Sequence, residues 1–105
     1  MSAEKRLQEL GITLPALRKP AGNYVDAVRS GNLLFLAGKG PPGAKGKVGV
    51  DFTTQQAHNC ARDVGLQLLA AMRQELGSLD RVTRIVKLLG FVNAVPEFGE
   101  HPAVI

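Results

Sequence analysis

Apolar residues recur every three or four positions from Ala57 through Ala61, Val64, Leu68 and Met72 to Leu76. That spacing puts them on one face of an α-helix and requires something for the face to pack against. Cys60, Leu69 and Ala71 widen the stripe. Thr53 and Gln56 have the spacing of a reciprocal capping box, and Gly77 supplies a stop. The helix is therefore predicted over Thr53–Leu76. Gly65 inside it is either a local weakness or a point where a neighbour approaches closely.

The rest of the chain reads as shorter pieces around this helix. Ser2–Leu10 reads as a short helix capped by Ser2, with Glu4 in its first turn and Gly11 closing it. Pro15 and Pro20 hold an extended linker. Tyr24–Val28 and Leu33–Leu36 read as the strands of a hairpin, joined by turn chemistry at Arg29-Ser30-Gly31-Asn32. The unbroken apolar run Leu33–Leu36 predicts burial on both faces. Gly38–Gly49 reads as a loop, with a short edge strand at Lys47–Val50. Val82–Val92 is apolar on both faces and is predicted to be a long central strand. Asn93–Phe98 reads as a turn, and Gly99–Ile105 as the approach to a helix that stops before it can form. Strands flanking a helix predict an α+β fold, a mixed sheet with helices on one face. Residues 1–19 form an N-terminal helix and linker, and residues 20–105 the domain proper.

One hundred and five residues allow one small domain, for which oligomerisation is a reasonable expectation. A single cysteine, Cys60, excludes an internal disulfide framework and fits a reducing, cytoplasmic setting. Neither Cys60, His58 nor His101 has a partner at metal-ligand spacing, so no metal or cofactor is expected. Cys60 reads as core, His58 as a surface helix residue and His101 as unpartnered. Met1–Leu10 carries Glu4, Lys5 and Arg6 and is not a signal peptide; no stretch is long enough to span a bilayer. The net charge of +4 permits an anionic partner, but the basic residues are scattered and suggest an ordinary solvated surface.

The chemistry concentrates at the hairpin. Tyr24 is the sole tyrosine, and Ala37-Gly38-Lys39-Gly40-Pro41 turns out of the second strand at the same end. Tyr24 either donates a hydrogen bond to a ligand or caps the core with its hydroxyl in water. Gly38 either lets a ligand approach the backbone or only bends the chain. Lys39 is either a point charge for an anion or a solvated edge residue that discourages strand pairing.

Taken in order, Asn23-Tyr24-Val25, Leu36-Ala37-Gly38-Lys39-Gly40-Pro41, the Thr53 helix, and Arg84-Ile85-Val86-Lys87-Leu88-Leu89-Gly90-Phe91-Val92-Asn93 followed by Phe98 resemble the YjgF/RidA family. It is also called the endoribonuclease L-PSP or reactive-intermediate deaminase family. The chain is closest to the subgroup with an added N-terminal helix, and the resemblance runs from about Pro20 to the end. It implies a chorismate-mutase-like α+β fold, a homotrimer, and ligand clefts between subunits. It also implies hydrolysis of enamine or imine intermediates, such as 2-aminoacrylate, to a 2-keto acid and ammonia. Tyr24 matches the family's tyrosine before the hairpin. Ala37-Gly38-Lys39 stands where the family has Ser-Gly-Gln, without the hydroxyl and the amide. Phe91-Val92-Asn93 matches the step at the end of the long strand. By this resemblance Tyr24, Ala37, Gly38, Lys39, Phe91 and Asn93 are the substrate-binding candidates, with no catalytic residue assigned.

The family's carboxylate-gripping arginine and its water-positioning glutamate would both follow Ile105, so the chain reads as lacking the family's C-terminal segment. That leaves Val82–Val92 and the Ala57–Leu76 stripe partly uncovered, and exposed apolar surface of this kind invites association or aggregation. Three functions follow as expectations. The first is imine hydrolysis acting on a small carboxylate-bearing metabolite. The second is non-catalytic binding or regulation on the same fold. The third is RNA binding or cleavage, for which stacking aromatics and a continuous basic track are lacking.

Overall fold

The computed structural model describes residues 2–105; Met1, the first residue of the N-terminal stretch, lies outside them. The element order is α1 (Ala3–Glu9), β1 (Ala27–Ser30), β2 (Leu33–Leu36), α2 (Thr54–Leu76), a 3-10 turn (Leu79–Arg81) and α3 (His101–Val104). The fold is α+β, as expected. The chain divides into two units, one comprising the chain up to Lys39 with Leu66–Ile85, the other Gly40–Gly65 with Val86–Ile105.

In the first unit, α1 begins where predicted because Ser2 Oγ accepts the Lys5 N–H at 3.1 Å. It buries Leu7, and its end is closed by the Leu10 N–H to Arg6 and the Ile12 N–H to Leu7. The hairpin forms, but its first strand starts later than expected, at Ala27 rather than Tyr24. The register is Ala27↔Leu36, Val28↔Phe35, Arg29↔Leu34 and Ser30↔Leu33. Gly31 takes the positive φ (58°) that the tight turn needs. The second strand is not buried on both faces: Leu34 and Leu36 are half-buried, whereas Leu33 and Phe35 are exposed. Side chains alternate across a strand, and here only one face is covered.

The helix α2 runs as its periodicity demands. Thr53 N–H donates to Gln56 Oε1 at 2.9 Å, and Gln56 N–H returns to Thr53 Oγ1 at 3.1 Å, completing the predicted box. Ala57, Ala70 and Ala71 are buried, and no residue from Val64 to Arg73 is exposed, so this stretch is covered more widely than one stripe. A Cβ added at Gly65 would meet nothing within 4 Å. Of the two readings of Gly65, only the weakness survives. Gly65→Ala should raise stability by about 0.5–1 kcal/mol in denaturant unfolding. A neutral or destabilising result would mean that a neighbour does occupy that space.

The second unit gathers Val48, Ala57 and Val104 as a buried cluster, with Phe52, Ala61, Val92, Ala94 and Phe98 against it. The predicted edge strand Lys47–Val50 reduces to isolated bridges of Val48 with Phe52 and Ala94, because the chain turns back at once through the Asp51 N–H to Lys47 carbonyl bond. At the C-terminus one helical turn does form, contrary to expectation. His58 supports it: its Nδ1 lies 3.1 Å from the Val104 carbonyl, an acceptor, so Nδ1 carries the proton. Thr54 Oγ1 donates to Glu100 at 3.3 Å, and the His101 ring meets Phe98 edge-on at 5.1 Å. Neither histidine is therefore unpartnered.

The largest departure is Val82–Val92, which is not a strand. Among the described residues none of its backbone groups from Thr83 to Phe91 has a hydrogen-bond partner. Ile85, Val86, Leu88 and Leu89 are all more than half exposed. A strand exists only as a member of a ladder, and among the described residues the sheet contains β1 and β2 alone. The expected mixed sheet is thus reduced to an antiparallel pair.

Candidate functional site at the open end of the hairpin

The hairpin brings the residues before β1 alongside those after β2. One further bond, from the Ala37 N–H to the Asp26 carbonyl at 2.9 Å, carries the ladder past its last strand pair. The Tyr24–Asp26 and Ala37–Lys39 stretches therefore leave at the same end of the hairpin.

Tyr24 is half exposed, and its hydroxyl oxygen accepts the Ala21 N–H at 3.2 Å. The ring lies over the backbone at Gly22, where an added Cβ would stand 3.4 Å from ring carbons. The side chain is thus held by its own loop rather than left in water. A phenol that accepts one hydrogen bond still has its proton to donate. Gly38 offers open room: a Cβ there would meet nothing within 4 Å, and its N–H has no partner among the described residues.

Lys39 is engaged inside the chain. Its ammonium forms an ion pair with Asp26 Oδ1, and the two side chains are only 11% and 14% exposed. It is not a solvated edge residue, and its charge is already matched within the chain. Asp26 is the residue that sequence reasoning missed. The signal was present: in the hairpin register Asp26 faces Ala37, which makes Lys39 its diagonal neighbour, within reach of a long side chain.

The remaining candidates belong to the second unit. Phe91 is 88% exposed. Asn93 is braced: its side-chain amide donates to the Gly46 carbonyl at 2.9 Å, and its backbone carbonyl accepts the Val48 N–H at 2.9 Å. A shallow, open depression of about 450 Å³ also lies in this unit, between the turn at Gly49–Thr53, the start of α2, and Phe98 and Glu100. None of the six candidates lines it. The described helices include none long and apolar enough to cross a membrane.

This geometry can be set beside known proteins. The profile of the family described as Endoribonuclease L-PSP matches residues 15–105. Protein TCP17 of Trypanosoma cruzi is 43% identical over 103 residues, covering 93% of this chain and 64% of that protein. The chain thus spans just under two thirds of the length of this curated relative. A "putative endoribonuclease" from Shewanella oneidensis MR-1 superposes with a TM-score of 0.92 at 29% identity, over 99% of this chain and 72% of that one. The Agrobacterium tumefaciens protein Atu1372, of unknown function, superposes with a TM-score of 0.82 at 39% identity, over 96% of this chain and 64% of that one. With the profile matching nearly the whole sequence, and the fold shared over its full length, the chain belongs to the endoribonuclease L-PSP family.

Proposed function

We propose that the protein hydrolyses small enamine or imine acids to 2-keto acids and ammonia, and that this chain supplies one wall of the cleft. The observation that supports this is the placement of Tyr24 and Gly38 at one end of the hairpin, the tyrosine anchored by the Ala21 N–H and the Gly38 N–H unpaired. The Tyr24 hydroxyl donates its proton, and the Gly38 amide its N–H, to the oxygens of a substrate carboxylate. Holding the acid there presents the C=N carbon to water. An enamine first tautomerises to the imine, its β-carbon gaining the proton that its nitrogen loses; water then adds to the C=N carbon, both of its protons pass in turn to nitrogen, and ammonia leaves as the carbonyl forms. The inter-subunit cleft of a homotrimer would complete the enclosure.

A second reading is binding without turnover. It is favoured by Ala37, which has no hydroxyl, and by Lys39, whose ammonium is held by Asp26. The assay is ammonia release from 2-aminoacrylate generated in place. Under the first reading ammonia appears faster than in the uncatalysed control, and Tyr24→Phe slows it by about tenfold, the value of one lost hydrogen bond to a charged group. Carboxylate binding by calorimetry with no ammonia above the control selects the second reading. RNA cleavage with steep salt dependence, and no response to the imine, would displace both.

A further inference from the structure

We infer that α1 is a strap fastened by a single carboxylate: Glu4 and the Leu79–Arg81 turn cap each other, and removing the Glu4 charge undocks the helix while the rest of the fold stays in place. The geometry is reciprocal. Glu4 Oε2 accepts the Leu79 N–H at 2.7 Å, which satisfies a donor at the start of the 3-10 turn. The Glu4 N–H in turn donates to Asp80 Oδ1 at 2.9 Å, which satisfies a donor at the start of α1. The same Glu4 carboxylate takes both donors of the Arg73 fork on α2, at 2.6 and 3.2 Å. Each short helix would be unstable alone, and each is completed by an acid on the other. Leu7 of α1 and Leu79 of the turn are both buried.

The surroundings leave Glu4 as the controlling group. From α2 it faces Arg73, and from the turn Asp80 and Ser78. Arg81 is turned away, its guanidinium donating to the Leu76 carbonyl at 2.9 Å. On α1 itself, Arg6 is paired with Glu9 at 3.4 Å, and Lys5 is exposed. The Arg73 hydrogen bond, and then the Leu79 N–H, hold the Glu4 carboxyl below the usual carboxylate range. A depressed acid contributes stability that is complete above the ordinary carboxylate range. That contribution is lost as the pH falls through the lowered value.

Hydrogen exchange of the full chain tests the strap. In Glu4→Gln at neutral pH, the Glu4-position and Leu79 amides should exchange about tenfold faster or more, while amides around Ala70 and Ala71 keep their protection. Corrected for intrinsic rates, acidification should open the same amides in the wild type and in Asp80→Asn, which retains an acceptor oxygen at that position. Glu4→Gln should show no such transition. Unchanged protection at Leu79 in Glu4→Gln would overturn the inference. So would loss of protection spreading equally to Ala70 and Ala71, because α1 would then be part of one cooperative unit rather than a strap.

Discussion

Asp26→Ala is expected to destabilise the protein by roughly 2–3 kcal/mol, between the values typical of exposed and buried ion pairs. The carboxylate is 14% exposed, and it is the partner of an ammonium whose own side chain is 11% exposed. Removing it leaves Lys39 without a counter-charge in a place that water reaches poorly. Lys39→Met should cost a similar amount, since it strands the carboxylate instead. The double variant should lose much less than the sum, because apolar groups of similar bulk tolerate that environment. Urea unfolding of the four proteins gives the coupling energy directly. If the losses simply add, the two groups are not paired in solution, and Lys39 is free to hold an anion. The same variants bear on function: with Lys39 engaged by Asp26, Lys39→Met should shift the melting midpoint more than carboxylate affinity.

Gly49→Ala should cost about 3 kcal/mol, from a strained backbone and an overpacked contact together. Gly49 has φ +103°, a conformation that an L side chain rarely adopts, and an added Cβ would come 2.6 Å from Val95 Cγ2. Relief by moving Val95 is opposed by the Val95 N–H to Val48 carbonyl bond, which ties it to the buried cluster. In a domain of this size the loss corresponds to a fall in melting temperature of more than about 10 °C. Gly90→Ala is the control. Its Cβ would also approach to 2.6 Å, but against Cδ1 of Ile105, a flexible side chain that is 49% exposed and free to swing aside. Its cost should stay below about 1 kcal/mol. Equal melting temperatures for the two variants would mean that the Gly49–Phe52 turn is not the tight corner described.

Local chemistry was legible from the residues. Ser2, the Thr53/Gln56 box, Gly77 and the Gly31 turn each stand where their elements begin, end or reverse. Such signals act within a few residues and need no partner from elsewhere in the chain. The α2 stripe was equally plain because its period repeats over the whole helix. Family membership rested on the same kind of evidence, an ordered series of short patterns from Asn23 to Phe98.

What the residues did not disclose depends on groups distant in sequence. Apolar character on both faces of Val82–Val92 marks a capacity for pairing, but a ladder needs a second backbone, and none pairs with it among the described residues. The same dependence decided the site. Lys39 could have been a free cation by composition alone; the hairpin register brought Asp26 to it and matched its charge. Asn93 became a brace because Gly46 lies beside it, and Glu4 a fastening because Arg73 and Leu79 converge on its carboxylate. Sequence determined which segments turn, cap and coil, since those energies are local. Tertiary structure decided which charges are available to a ligand, because an ionic group's role is set by what folding brings within hydrogen-bond distance of it.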